Sequence, residues 1–141
     1  MTQDTQFTLH AALAADTLDV GNLALSRVLL MNDARYPWLV LVPQRSGLVD
    51  LVDLDPIDHH RLTDEIRQAS IALRELFRPD KLNVAALGNV VPQLHVHVIA
   101  RYRSDAAWPR PVWTIGTVVP YGSAEGAERL RDLRAALGVE L

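Results

Sequence analysis

The chain has 141 residues, 49% of them apolar, which suffices for one core of ordinary domain size and leads us to expect a single domain over residues 1–141. It has no cysteine, which excludes a disulfide framework, a thiolate nucleophile and cysteine-held zinc. The net charge of −3 gives no reason to expect a nucleic-acid polymer or a membrane surface as partner.

The opening Met1–Gln6 is polar and lacks the basic-then-apolar pattern of a signal peptide, and the apolar runs are too short to span a bilayer. A cytoplasmic location is therefore the expectation. Residues 9–15 are alanine-rich and predict a short helix. Residues 17–20 predict an edge strand, and Gly21-Asn22 a turn. Leu23–Met31 and Trp38–Val42 predict two strands joined by the polar loop Asn32–Pro37 into an antiparallel hairpin, with Asn32 and Asp33 at its tip.

Asp55-Pro56 opens the clearest helix, with Asp55 as N-cap and Pro56 at the first helical position, where its missing N–H is not needed. Leu62, Ile66, Ala69, Leu73 and Leu76 form its apolar stripe, and Pro79 ends it. Residues 82–86 predict a third strand, followed by a turn at Gly88-Asn89. The proline-punctuated stretch from Asp105 to Trp113 reads as an ordered loop, with a short strand expected after it. Ser123 is the expected cap of a last helix, lined by Leu130, Leu133 and Leu137 and closed by Gly138. These elements give an α+β domain: an antiparallel sheet of about five strands, with a long helix and a C-terminal helix packed mainly on one face.

Gln93-Leu94-His95-Val96-His97-Val98 alternates polar with apolar residues, which predicts a strand over 93–101 with Leu94, Val96 and Val98 on the core face. Gln93, His95 and His97 then line the other face at steps of about 7 Å. Three hydrogen-bonding side chains in a row can hold a chain of phosphates. A neutral imidazole, titrating ordinarily near pH 6.5, is also a competent nucleophile at neutral pH.

Leu82-Asn83 through Gln93-Leu94-His95-Val96-His97-Val98-Ile99-Ala100-Arg101 resembles the histidine triad (HIT) family, whose mark is three histidines alternating with apolar residues. Val28–Asp33 followed by Pro37–Pro43 resembles the family's first hairpin, and the helix from Asp55 stands where the family has its long helix. The resemblance spans roughly residues 23–103. It implies a HIT-like fold and a homodimer. The implied activity is that of a nucleotide hydrolase or nucleotidyltransferase, acting through a nucleotidyl-histidine intermediate on dinucleotide polyphosphates or nucleoside phosphoramidates.

On this resemblance His95 takes the place of the family's nucleophile and His97 that of the third histidine, while Gln93 replaces the first. Trp38 is a second departure, standing where many members have a histidine or another small polar residue. Either a backbone carbonyl or the Gln93 side-chain oxygen can fix the His95 tautomer. Asn32 and Asp33 are candidates for the ribose hydroxyls, Asn83 for a phosphate oxygen or leaving group, and Arg101 and Arg103 for offsetting phosphate charge. No cofactor is built in, although Mg²⁺ can accompany a phosphate substrate.

Plainer readings stand beside these. His95 and His97 can be satisfied histidines on a solvated sheet face. They can also ligate a metal, with a third ligand from His10, His59 or His60. The family site can also have become a nucleotide-binding module with little turnover, Gln93 marking the lost chemistry. Asn32 and Asp33 can be simple turn formers. Arg101 and Arg103 suit ion pairs, and Trp108 and Trp113 suit packing or a dimer contact.

Overall fold

A computed structural model describes residues 4–139. In chain order the elements are α1 (Ala11–Asp16), β1 (Thr17–Asn22), β2 (Ser26–Met31), β3 (Trp38–Pro43), a 3₁₀ turn (Leu51–Asp53), α2 (Pro56–Phe77), β4 (Lys81–Ala85), β5 (Val96–Arg101) and α3 (Ser123–Leu137). The five strands form one antiparallel sheet in the order β1-β2-β3-β5-β4. The chain is thus an α+β protein of the expected kind. No described helix is long and apolar enough to cross a membrane.

The centre of the sheet explains the most apolar part of the sequence. Every residue of β3 and of β5 is buried, because both faces of these strands are covered. On one face Leu39, Leu41, Val96 and Val98 meet Leu62, Ala69 and Leu73 of α2 and Leu133 of α3. On the other, Val40, Val42 and Ile99 meet Leu13 of α1 together with Ala107 and Val112 of the loop after β5.

α2 starts and stops where the local chemistry predicts. The Asp55 carboxylate accepts the Asp58 N–H at 2.8 Å, Pro56 follows, and Arg78 ends the helix in the left-handed region. Its stripe differs at the last position: Leu76 is half-exposed, while Phe77 packs on the core. Glu65 of α2 is buried and accepts the N–H groups of Leu25 and Ser26 at 2.7 and 3.0 Å. The backbone from Leu23 is therefore drawn to the helix, and β2 begins at Ser26 rather than at Leu23.

Other boundaries differ from expectation as well: β1 runs on through Gly21 and Asn22, the expected turn, with a register shift between Asp19 and Gly21. The histidine strand begins at Val96, so Gln93 and His95 precede it. Ser123 is the first helical residue of α3; Gly122 is the cap, and no side chain caps the helix. Among the described residues, no strand follows the 105–113 loop. The chain instead crosses to the β2–β3 turn, where Ala34 N–H donates to the Val119 carbonyl (2.6 Å) and Tyr121 N–H donates to Asn32 Oδ1 (2.9 Å). Val119 and Tyr121 thus give their backbone hydrogen bonds to that turn rather than to a neighbouring strand.

Candidate functional site

The two histidines are adjacent on the sheet face away from α2 and α3. His97 lies within β5, opposite Val40 of β3 and Ala85 of β4. His95 sits one step before the strand. It is set by Leu94, which is buried in the core and donates its N–H to the Leu48 carbonyl at 3.0 Å. The imidazole rings are 4.9 Å apart, centre to centre, at 74°. Both are buried, at 7% and 5% exposure, so this is no solvated sheet face.

Their hydrogen bonds fix different tautomers. His95 Nδ1 lies 2.7 Å from the Gln93 backbone carbonyl, which can only accept. The proton therefore sits on Nδ1, and Nε2 carries the free lone pair. His97 Nδ1 lies 3.0 Å from Trp38 Nε1, an indole N–H that can only donate. The His97 proton therefore sits on Nε2. Burial, with His95 beside it, lowers the His97 pKa to about 4, so this ring is neutral at physiological pH.

Gln93 divides its work. Its backbone carbonyl orients His95. Its side chain turns the other way, accepting the His10 N–H at 2.8 Å and donating to the Thr8 carbonyl at 2.8 Å. The side chain thus ties down the segment leading into α1.

Among known families, the model for the HIT domain matches residues 14–104. The chain belongs to the HIT family. Solved structures agree: a histidine triad protein from Bradyrhizobium japonicum is 49% identical, with a TM-score of 0.91 over 93% of this chain and 98% of its own. One from Marinobacter aquaeolei is 47% identical, with a TM-score of 0.91 over 94% and 96%. One from Sinorhizobium meliloti is 41% identical, with a TM-score of 0.91 over 94% and 98%. None of the curated proteins matches this chain.

One depression includes Trp38, the partner of His97, and another includes His95. The first, of about 340 Å³, is lined by Asp16, Met31, Asn32, Trp38, Val118 and Pro120 among others. The second, of about 280 Å³, includes Asp50, Gly88, Gln93 and His95 in its lining. A third, of about 480 Å³, is lined by Asn83, Ala85 and Trp113 among others, while one of about 420 Å³ includes none of the site residues in its lining.

The remaining candidates are held in different ways. Asn32 edges the 340 Å³ pocket, but its side-chain oxygen is taken by Tyr121 N–H, which leaves its amide NH₂ to offer. Asp33 is 1% exposed. It binds Arg35 through both oxygens and also accepts from Val119 N–H, and these partners hold its carboxyl below the usual range against the opposing effect of burial. Asn83 lies on the histidine face, where its oxygen accepts from Arg101 at 2.8 Å.

Arg101 is not directed at the histidines. It is buried and forks onto Asp105 at 2.8 and 3.1 Å, and it also donates to the Arg110 carbonyl at 2.7 Å. This network shapes the loop after β5. Arg103 is exposed and faces Asp80 at 3.6 Å. His10 caps α1, its Nδ1 accepting the Ala12 N–H at 3.0 Å, while His59 and His60 are exposed on α2. Among the described residues, no three His, Asp or Glu side chains converge as a metal site.

Two tryptophans belong to the site. Trp38 hydrogen-bonds His97, and Trp113 stands edge-on to both His97 (5.0 Å) and Trp38 (5.8 Å). Trp38 shares the face of Val40, and therefore of His97, by strand parity. That clue becomes usable only once β3 is known to lie beside β5. Nothing in the local sequence around Trp113 signals its place.

Proposed function

We propose that this protein transfers a nucleotidyl group to His95 and then to water or another acceptor. The carrying observation is the bond from His95 Nδ1 to the Gln93 carbonyl, which leaves Nε2 as a free, oriented nucleophile beside a fixed N–H donor on His97. His95 Nε2 attacks the α-phosphorus, and His97 Nε2–H stabilises charge on a non-bridging oxygen. The second nucleophile then releases the nucleotide and restores His95.

The 340 Å³ pocket is within the range of small-ligand sites and is assigned to the nucleoside, with Asn32 as its polar contact and Asp33 shaping its edge through Arg35. The groove beside His95 is assigned to the departing group. Asn83 acts through Arg101, by holding the loop that carries Trp113. Substrates of this chemistry are dinucleotide polyphosphates and nucleoside phosphoramidates, with Mg²⁺ arriving on the phosphates. A homodimer is proposed as the assembly.

Incubating the protein with diadenosine polyphosphates and adenosine phosphoramidates tests this. Intact mass should show a nucleotidyl adduct that His95→Ala abolishes together with turnover. Tight nucleotide binding with neither adduct nor turnover would replace this reading with that of a nucleotide-binding module.

A further inference from the structure

The bond between Trp38 and His97 bears on the leaving group. Trp38 is 6% exposed and is packed edge-on to Tyr36 (6.4 Å, 70°) and Trp113 (5.8 Å, 90°). Its indole N–H points at His97 Nδ1 at 3.0 Å. Protonating that nitrogen would set two N–H groups against each other, in a space closed by aromatic rings. The elements packed on His97 bring little to offset this: Val40 and Trp38 of β3, Ala85 of β4 and Trp113 of the loop carry no charge. The titratable neighbour is His95, whose protonated form would oppose a positive charge on His97.

His97 is therefore a permanent donor through Nε2 rather than an acid that gives up a proton and regains it. Among the described residues, no lysine, tyrosine or second histidine lines either the pocket beside Trp38 or the groove beside His95. The titratable side chains lining these two depressions, besides His95, are Asp16, Asp33 and Asp50, and an aspartate ordinarily accepts protons at neutral pH. An amine leaving a phosphorus must be protonated as it goes. A phosphate or carboxylate oxygen leaves as a stable anion.

We infer that Trp38 is a positioning residue that locks His97 as a neutral N–H donor, and that the site consequently acts on nucleotide anhydrides, phosphoric or carboxylic–phosphoric, in preference to phosphoramidates. This deepens the proposed nucleotidyl transfer and rests on it. His95 Nε2 forms the N–P bond with its lone pair while the P–O bond to the bridging oxygen breaks, its electron pair leaving on that oxygen. No protein proton moves, and the His95 Nδ1–H stays on the Gln93 carbonyl. Water then attacks phosphorus, the N–P pair returns to Nε2, and the water proton passes to solvent.

The test compares kcat/KM of the full chain for diadenosine tetraphosphate and for an alkylamine phosphoramidate of adenosine. The anhydride should be favoured by about 100-fold or more, the scale of a missing general acid. Trp38→Phe keeps a ring but removes the N–H and should shrink that preference at least about tenfold, the amine substrate gaining. Nitrogen-15 NMR should show wild-type His97 as the Nε2–H tautomer with no titration between about pH 5 and 8, and Trp38→Phe should restore titration.

Turnover of the two substrates within about tenfold of each other, or an Nδ1–H or titrating His97 in the wild type, would overturn the inference. If Trp38→Phe does not fold, the two wild-type measurements still decide. If no substrate reacts and no His95 adduct forms, the proposed function fails and the anhydride preference fails with it, whereas the NMR spectrum judges the tautomer lock independently.

Discussion

The two faces of the sheet are built by different means. The face under α2 and α3 is closed by regular helices through aliphatic side chains such as Leu41, Leu62, Leu73, Val98 and Leu133. The histidine face is closed by irregular chain: the segment through Phe7 and Leu9 into α1, and the loop carrying Ala107, Val112 and Trp113. That cover is pinned by specific polar ties. Arg101 holds Asp105 and the Arg110 carbonyl, Arg35 holds the Ile115 carbonyl at 2.6 Å, and Gln93 holds Thr8 and His10. Gly116 sits against this second tie at a φ of +64°, with Arg35 Nη1 2.9 Å from where a Cβ would stand. The helical face supplies rigidity through area, and the irregular face supplies the site through a few geometric constraints, with β3 and β5 shared by both.

This contrast predicts different kinds of damage. Asp105→Ala leaves the Arg101 guanidinium buried without its carboxylate, and breaking such a pair costs about 3–5 kcal/mol. It should also depress kcat/KM in the fraction that remains folded, because the loop presenting Trp113 loses its anchor. Leu73→Ala opens a cavity on the helical face and should cost about 2–5 kcal/mol. The folded fraction should then keep kcat/KM within about twofold, because Leu73 packs on the face opposite the histidines. Urea unfolding, paired with kinetics on the folded fraction, measures both. Equal kinetic loss in the two variants would mean the faces are not separable in this way.

The same difference governs what was legible in the sequence. Capping reveals the start of α2 to the residue, since Asp55 and Pro56 act locally, and Pro79 marks its end, which falls two residues earlier at Phe77. Alternation places Leu94, Val96 and Val98 on the core side and the histidines opposite. It overextends the strand to Gln93, because alternating polarity does not report that the backbone leaves the ladder before Val96. The chain from 102 to 122 has no period, and its partners lie far away in sequence, as Arg35 does from Ile115 and Asn32 from Tyr121. Arg101 has its partner Asp105 four residues ahead, but only the fold shows that the pair is buried. The pairing of Trp38 with His97 needs the β3–β5 register, which neither strand encodes alone.

His97 gives this face a pH signature. In the unfolded chain its imidazole titrates near pH 6.5, and in the fold near 4. Between those values the unfolded chain binds a proton that the folded chain refuses, so stability is full above about pH 6.5 and is lost as the pH falls towards 4. The loss reaches about 3 kcal/mol at most. Glu65, on the helical side, acts with the opposite sign. Burial raises its pKa, so between its unfolded and its raised folded value the fold holds a proton that the unfolded chain releases, and its contribution is lost as pH rises through the folded value. His97→Gln retains an acceptor for the Trp38 N–H while removing the titration. Subtracting its pH–stability curve from that of the wild type should isolate the His97 slope, and parallel curves would deny it.

The smallest expected effect lies at Gln93, the residue that the sequence resemblance sets in place of the first triad histidine. Gln93 serves His95 through its backbone carbonyl, and that group survives any substitution of the side chain. Its amide instead makes two partly solvated bonds to Thr8 and His10, together worth on the order of 1–2 kcal/mol. Gln93→His should therefore loosen the entry to α1 slightly and change the single-turnover rate of His95 adduct formation by less than about tenfold, the carbonyl contact being retained. A gain of about 100-fold would show that the side chain at this position reaches the phosphate after all, and that glutamine there limits the chemistry.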